Sequence, residues 1–418
     1  MTLNGRRVLL GVTGGIAAYK AAELVRLLQK EGAVVRAMMT AAAGEFVCPL
    51  TFRALTQAPV GLSLFDPAEQ SPIGHIALAR ETDCIVIAPA TANFLAKLAW
   101  GLADDLPSTV VLASRAPLVL APAMNTVMWQ SPATQENVAR LAARAGVSIV
   151  PPGEGEMACQ EVGAGRLAEL EAIVEAVAAA VSPHDLDGLR LLVTSGPTHE
   201  PLDPVRFLAN RSTGRMGHAL ARVACRRGAA VTLVRGPVEL ADPPGMKVVA
   251  VQTARQMHEA VLAHAPSVDV LIMVAAVGDA RPAAPGVRKL RKSELPGLLP
   301  LQQNPDILAD LGERGIPPLR VGFAAETEEG VAAGLAKLRA KRCHLLAVNR
   351  VDRPGCGFAA ATNEVVLLDG QGGHELIALA AKEVVASRIL DRVAELARAS
   401  GLLRAERPEG ERLERLDG

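Results

Sequence analysis

The sequence predicts an α/β protein built as two tandem three-layer, Rossmann-like domains. Three observations carry this prediction. The chain has 418 residues, long for one domain and comfortable for two. Short apolar runs alternate along it with amphipathic helical stretches, and the runs are continuously apolar rather than alternating. That is the pattern of strands buried on both faces of a parallel sheet. The rhythm breaks once, at the polar, turn-rich "SPHDLDG" (Ser182 to Gly188), and then restarts.

In the first half, "RVLLGV" (Arg7 to Val12) reads as a strand and "AAYKAAELVRLLQKEG" (Ala17 to Gly32) as a helix. Ala18, Ala21, Val25 and Leu28 share one face of that helix, and Gly32 suits its C-cap. "AVVRAMMT", "DCIVIAPA", "PLVLAPA" and "VSIV" follow as strands. Then comes "PPGEGEMACQEVGAGR" (Pro151 to Arg166), crowded with glycine and proline around a single thiol. Neither helix nor sheet is expected there; it reads as a mobile cover or a bare connection. The helix "LAELEAIVEAVAAAV" completes a first domain over residues 1–181, with 182–188 as linker.

The second domain spans 189–400. "LRLLVTSG" opens it as a strand, and "STGRMGHALARVACRRG" (Ser212 to Gly228) follows as a helix with Ser212 or Thr213 as N-cap and Gly228 as C-cap. "AAVTLVRG", "MKVVAVQT", "VDVLIMVAAVGD", "LRVGFAAET" and "HLLAVN" are strands, and "NEVVLLDGQGGHELIAL" reads as a hairpin turning at Asp369 to Gly373. A last helix is expected near Ala381 to Ala399, and the charged 401–418 is expected to fray.

Composition narrows the partners. Lys plus Arg and Asp plus Glu number 44 each, so no global positive field draws nucleic acid or an anionic membrane. Aromatics are 2%, too few for a base-stacking platform. The start has the form of no signal peptide, and no uncharged run reaches the roughly 18 residues of a membrane helix. Cys48, Cys84, Cys159, Cys225, Cys343 and Cys356 form no CxxC pair, which reads as free thiols in a reducing cytoplasm. Small-molecule partners remain.

Candidate sites cluster where strands give way to helices. "GVTGGIAAYK" joins strand to helix through small residues, where backbone N–H groups can receive a phosphate, but its spacing is not GxGxxG. His75 in "PIGHIALA" is placed in a turn before a helix; alone it reads as a structural or solvated histidine. Thr91 and Asn93 lie past the end of "DCIVIAPA", and Asn125 past the end of "PLVLAPA", where open α/β sheets bind ligands. Asn125 could equally cap its own backbone. In the second half, "VTSGPTHEPLDPVRFLANRSTGRMG" is long and polar, with Arg211 and Arg215 at a helix start suited to polyphosphate. Asp279, Lys289, Asp306 and Phe323 each have a bland alternative: turn, solvated charge, cap and core. Lys337 and Lys341 share a helix face.

In combination the motifs are specific. "GGIAAYK", "GHI", "PATAN", "ADDL" and "PAMN" closely resemble the flavin-dependent cysteine decarboxylases. "GEMACQEVGAGR" resembles the substrate clamp of the phosphopantothenoylcysteine decarboxylases, with Cys159 inside it. The resemblance implies a flavodoxin-like domain with FMN contacted by Gly14, Gly15, Thr40, Thr91 and Asn93. It implies that flavin oxidises the cysteinyl unit to a thioaldehyde, that CO₂ leaves to give an ene-thiolate, and that reduced flavin and an acid restore the product. His75 would be the acid/base group of the oxidation, Asn125 the holder of the substrate carboxylate, and Cys159 the final proton donor.

The second-half motifs resemble phosphopantothenate–cysteine ligase, in the same order. That family activates a carboxylate with CTP, through an acyl cytidylate, for attack by the cysteine amine; Mg²⁺ is expected with the nucleotide. By resemblance Asn210 stabilises the acyl-cytidylate step and Lys289 handles phosphate charge. Asp279, Pro305, Asp306, Ile307, Leu308, Phe323, Lys337 and Lys341 contact CTP. Arg211, Thr213 and Arg215 stand where relatives often have His, Ser and Lys, and Ala280 stands where many carry tyrosine. The resemblance runs over roughly residues 5 to 400, in decarboxylase-then-ligase order, as in the bifunctional enzymes of bacterial coenzyme A synthesis. It implies a homo-oligomer, a dodecamer of trimers and dimers. It assigns no metal ligands. Two other classes stand beside it: an NAD(P)-dependent oxidoreductase, and a non-enzymatic flavoprotein that binds a regulatory partner.

Overall fold

The computed structural model describes residues 2–65, 74–156, 162–294, 297–326, 330–350, 355–357 and 360–403. The chain divides into two compact units, Met1–Ser182 and Pro183–Gly418.

The first unit holds a six-stranded parallel sheet of β1 (Arg7–Val12), β2 (Val34–Met39), β3 (Val60–Gly61), β4 (Cys84–Ala90), β5 (Leu118–Pro122) and β6 (Val147–Ile149). Its order is β3-β2-β1-β4-β5-β6. Every residue of β4 is buried, as a central strand sandwiched between helices must be. One face is covered by helices Ala18–Lys30, Pro49–Thr56 and Leu170–Ala180, the other by Gly74–Arg80, Ala92–Trp100, Leu106–Ala113 and Pro132–Ala142. Leu24, Val25 and Leu28 are fully buried on the first helix, which ends with Gly32 at φ +92. With so few aromatics, the layers are filled by aliphatic side chains around Phe52 and Phe94.

The segment expected to form no sheet does form one. β7 (Gly153–Glu156) pairs antiparallel with β8 (Val162–Arg166). Gly155 at φ +145 and Gly165 at φ +154 adopt extended conformations closed to other residues, so glycine builds this ribbon instead of breaking it. Residues 157–161, Cys159 among them, lie outside the described residues.

The second unit repeats the plan with a larger sheet. It contains β9 (Arg190–Ser195), the short pair β10 (His199–Pro201) and β11 (Phe207–Ala209), β12 (Ala230–Arg235), β13 (Lys247–Ala250), β14 (Val270–Met273), the short pair β15 (Ala280–Pro282) and β16 (Leu301–Gln303), β17 (Leu319–Glu326), β18 (Leu345–Arg350), β19 (Thr362–Asp369) and β20 (His374–Ala381). The main order is β13-β12-β9-β14-β17-β18-β19-β20, parallel as far as β18 and antiparallel in the β19–β20 hairpin. Helices Arg215–Arg226 and Lys382–Ala399 cover one face; Ala254–His264, Ile307–Arg314 and Gly330–Ala340 cover the other. Leu186, within the polar stretch 182–188, is fully buried in the second unit's core.

The helix expected to be capped by Ser212 or Thr213 starts later, at Arg215. Its N-cap is Gly214 at φ +76, and Ser212 Oγ accepts from the Gly214 amide at 3.3 Å. A Cβ on Gly217 would lie 2.5 Å from Ser195 Oγ. The glycines thus let this helix start close against the end of β9.

Candidate active sites

Both sheets reverse winding direction at one point, between β1 and β4 in the first unit and between β9 and β14 in the second. Outside the carboxyl ends of those strands two loops diverge and leave a crevice. Most of the described candidate residues gather around the two crevices.

In the first unit, Thr13 joins the crevice walls. It is buried, and its Oγ1 donates to the Pro89 carbonyl at 2.7 Å and accepts from the Thr91 amide at 3.0 Å. Gly14 and Gly15 follow it. A Cβ on Gly14 would lie 2.5 Å from Ala42 Cβ, so this loop and the one after β2 touch only because no side chain intervenes. Thr40 and Thr91 are N-caps, accepting from Ala43 and Phe94 amides at 3.3 Å each. Asn93 is exposed in the first turn of helix Ala92–Trp100. Gly14, Gly15, Thr40, Thr91 and Asn93 thus stand at the carboxyl ends of the adjacent strands β1, β2 and β4, where helices Ala18–Lys30, Ala41–Gly44 and Ala92–Trp100 begin.

His75 is half-buried as the second residue of helix Gly74–Arg80, not in a turn before it. Asn125 is the N-cap of helix Thr126–Gln130, its Oδ1 accepting from the Val127 amide at 2.8 Å. The base of the glycine hairpin is fixed to the same loop: the Met124 amide donates to the Gly165 carbonyl at 3.0 Å. A Cβ on Gly163 would lie 2.7 Å from Thr126 Oγ1. The hairpin carrying the thiol segment is therefore anchored beside Asn125. The acidic pair of "ADDL" is structural. Lys97 Nζ pairs with Asp104 at 2.7 Å and Asp105 at 2.8 Å, and Asp105 closes a capping box with Ser108 on helix Leu106–Ala113.

The second crevice opens into a cavity of about 790 Å³. Asn210, Asp279, Pro305, Asp306, Ile307, Leu308, Phe323, Lys337 and Lys341, far apart in sequence, all line it. Asn210 Nδ2 donates to the Ala276 and Val277 carbonyls at 3.3 and 3.1 Å, holding it against the loop after β14. Asp306 caps helix Ile307–Arg314 through the Ala309 amide at 3.0 Å and pairs with Lys341. Phe323 lines the cavity while packing on the core beneath helix Arg215–Arg226. Lys289 is exposed and does not line the cavity. Its loop is held through Asp203, whose carboxylate accepts from the Leu290 amide at 3.2 Å and forms an ion pair with Arg206. The Arg206 guanidinium holds that carboxyl well below the usual range.

Several supporting residues escaped the sequence reading. Thr194 Oγ1 accepts from the Val274 and Ala275 amides at 3.0 Å each, and Thr198 Oγ1 from Gly278 at 2.9 Å. Asn304 Nδ2 donates to the Gly278 carbonyl at 2.8 Å. Together they shape the loop that presents Asp279. A Thr or Asn at or just past a strand end is the available signal, since such hydroxyls and amides satisfy loop backbone. Lys382, also lining the cavity, had no such signal. It opens a long amphipathic helix, where a lysine reads as solvated.

No described helix is long and apolar enough to cross a membrane. The family model described as Flavoprotein matches residues 1–182, and that of the DNA/pantothenate metabolism flavoprotein C-terminal domain matches 186–396. The coenzyme A biosynthesis bifunctional protein CoaBC of Vibrio parahaemolyticus is 43% identical over 398 residues, covering 94% of this chain and 99% of that protein. The protein of the same name from Escherichia coli K12 is 43% identical over 398 residues, covering 94% and 98%. The crystal structure of the C-terminal domain of a CoaBC protein aligns at 36% identity with a TM-score of 0.45, over 52% of this chain and 99% of that one.

Proposed function

The chain belongs to the coenzyme A biosynthesis bifunctional family, and from that premise we propose how its residues divide the two reactions. It is a ligase and a lyase: it joins 4′-phosphopantothenate to cysteine using CTP, and decarboxylates the product to 4′-phosphopantetheine with FMN. The observation that carries the assignment of residues is the cavity between β9 and β14, which assembles eight expected CTP contacts with Asn210.

A carboxylate is a poor electrophile, so it must first displace pyrophosphate from CTP; the amine of cysteine then displaces CMP. Lys337 and Lys341 supply positive charge at the nucleotide end, and the start of helix Ile307–Arg314 gives backbone donors beside Pro305 to Leu308. Nucleotide binding there separates Asp306 from Lys341. Asn210, fixed through Nδ2, is held to act on the acyl-cytidylate step. Lys289 stands outside the wall, so its handling of phosphate charge requires its loop to approach. Mg²⁺, which keeps several waters and binds with one or two carboxylates and substrate phosphates, would arrive on the oxygens of CTP.

In the first unit the small, hydroxyl-lined ends of β1, β2 and β4 fit a flavin phosphate: helix N-termini supply donors, and Gly15, with nothing nearer than Thr91 Cγ2 at 3.8 Å to a Cβ, leaves room for approach. Bound FMN supplies the two-electron acceptor and donor that this decarboxylation needs. Asn125 holds the substrate carboxylate, His75 moves the proton of the oxidation, and Cys159 delivers the last proton. The hairpin excludes water while it is closed. We place the enzyme in the cytoplasm, on a sequence whose scattered cysteines include no CxxC pair, and as a homo-oligomer, on the family resemblance.

Incubation with 4′-phosphopantothenate, L-cysteine and CTP or ATP, followed by mass spectrometry, tests the reading. Conversion to 4′-phosphopantetheine with CTP is expected, and absence of any condensed product would end it. Cys159→Ser is expected to release CO₂ and accumulate the unreduced ene-thiol; undiminished 4′-phosphopantetheine would remove Cys159 from its role.

A further inference from the structure

Two parts of the ligase cavity wall, Asp279 and the run Pro305 to Leu308, come from the two sides of one short antiparallel ribbon. Asp279 immediately precedes β15, and Asn304 and Pro305 follow β16, so all three stand at the base of the ribbon. The ribbon pairs Ala280 with Gln303, Arg281 with Gln302 and Pro282 with Leu301. An isolated two-stranded ribbon is marginal at best in water. Other ties must hold its base, because that base sets the distance between Asp279 and the start of helix Ile307–Arg314.

Arg281 supplies them. It is half-buried, and it reaches diagonally across the ribbon from β15 to the residues that end β16. Its Nη1 donates to the Gln303 carbonyl at 2.9 Å and to Asn304 Oδ1 at 2.8 Å. Asn304 carries the hold onward. Its Nδ2 donates to the Gly278 carbonyl at 2.8 Å, and its backbone amide donates to the Asp279 carbonyl at 2.8 Å. A guanidinium only donates and a carbonyl only accepts, so between them they fix which way the Asn304 amide faces. The reversed amide would set donor against donor and acceptor against acceptor. Asn304 lines the cavity between Asp279 and Pro305, whereas Arg281 stands behind the wall. An arginine paired with a carboxylate on the surface would need no further account. This one directs a charge-assisted bond to neutral oxygens at the point where two expected CTP contacts meet.

We propose that Arg281 is a positioning residue for CTP: through Asn304 it holds Asp279 and the start of helix Ile307–Arg314 at their working separation before the nucleotide arrives. The inference rests on the ligase reading above and adds to it a residue that touches no substrate. What the brace supplies is preorganisation. A wall already ordered in the free protein does not have to be ordered during binding, so less of the interaction energy is lost. The brace ends at Gly278, Asp279 and Asn304. Its effect therefore falls on the nucleotide and leaves the other substrates alone.

The test measures pyrophosphate release by the full-length protein at varied CTP, with 4′-phosphopantothenate and L-cysteine saturating. Arg281→Met removes the donors at similar length and is expected to raise KM for CTP roughly tenfold. In the same variant kcat and the KM values for the other substrates should stay near those of the unaltered protein. Arg281→Lys keeps a charged donor and should recover part of the loss. Asn304→Ala should raise KM for CTP as well, and adding Arg281→Met to it should change little more, because residues that act through one shared bond are not additive. An arginine that merely stabilised the fold would lower the active fraction, and with it kcat, without singling out CTP. An unchanged KM for CTP in Arg281→Met would overturn the role. So would a fall in kcat at constant KM, or losses that multiply in the double variant. If Arg281→Met does not fold, Arg281→Lys and Asn304→Ala decide: both must raise KM for CTP while kcat holds. Failure of the unaltered protein to release pyrophosphate from CTP is a separate result, which ends the ligase reading and this role with it.

Discussion

At the scale of single residues, the crevices are held open by side chains that touch no substrate. Thr13 is the clearest. Its hydroxyl satisfies both the Pro89 carbonyl and the Thr91 amide, so it stitches the end of β1 to the end of β4 where the sheet's winding reverses. Thr13→Val keeps the shape and removes both bonds. A buried carbonyl and amide left unpaired cost about 1–3 kcal/mol. The urea transition of the first unit, followed through flavin fluorescence, should shift by that amount, and FMN should bind more weakly. An unchanged transition with unchanged FMN affinity would show that the hydroxyl is dispensable. The sequence pointed to Thr91 through its place past a strand end but passed over Thr13, because a threonine inside "GVTGG" looks like one more small residue. Only the register of β1 against β4 brings the two hydroxyls to 3.3 Å. Lys382 was illegible for a related reason: a lysine's surroundings come from strands and helices remote in sequence.

At the scale of elements, the strands and most helices were legible because their signals are local. Continuous apolar runs marked the buried strands, and the β19–β20 hairpin turns at its Asp-Gly sequence as expected. The β7–β8 ribbon was not legible, since glycine and glutamate disfavour strands and only the neighbouring loop makes this one worth forming. Gly163 states the case. Its missing side chain lets β8 lie against Thr126, immediately after Asn125. In Gly163→Ala the new Cβ would meet Thr126 Oγ1 at 2.7 Å and Cγ2 at 2.9 Å, and a β-branched side chain at a helix start yields little. The ribbon should move off the Asn125 loop. A displacement of about 1 Å can cost up to 10²-fold in rate, so decarboxylation should fall between tenfold and that limit, roughly, while pyrophosphate release is untouched. Adding Thr126→Ala removes both offending atoms and should recover much of the rate. Failure of that second change to help would mean the hairpin does not act through its seat on this helix.

At the scale of the whole molecule, one architectural device appears twice. In each unit the winding reverses beside its first strand, and most of the described candidate residues stand at that reversal. Each unit also has its own closed set of core residues, the first ending at Ser182 and the second beginning at Pro183. Two chemistries with separate cores and separate sites should fail separately, because distant substitutions that share no partners act independently. His75→Asn is expected to abolish CO₂ release from 4′-phosphopantothenoylcysteine and leave CTP-dependent pyrophosphate release near normal. Asn210→Asp is expected to do the reverse, because a carboxylate at that position would repel the acyl phosphate and could not donate to the Ala276 and Val277 carbonyls. Both variants should keep bound flavin, which reports that the first unit is folded. Mixing the two variants in equal amounts should then convert 4′-phosphopantothenate and cysteine all the way to 4′-phosphopantetheine, since the intermediate made by one chain can diffuse to the other. A mixture that makes the condensed intermediate but stalls there, with each half active alone, would show that the intermediate does not pass freely between chains and that the two sites act as one device.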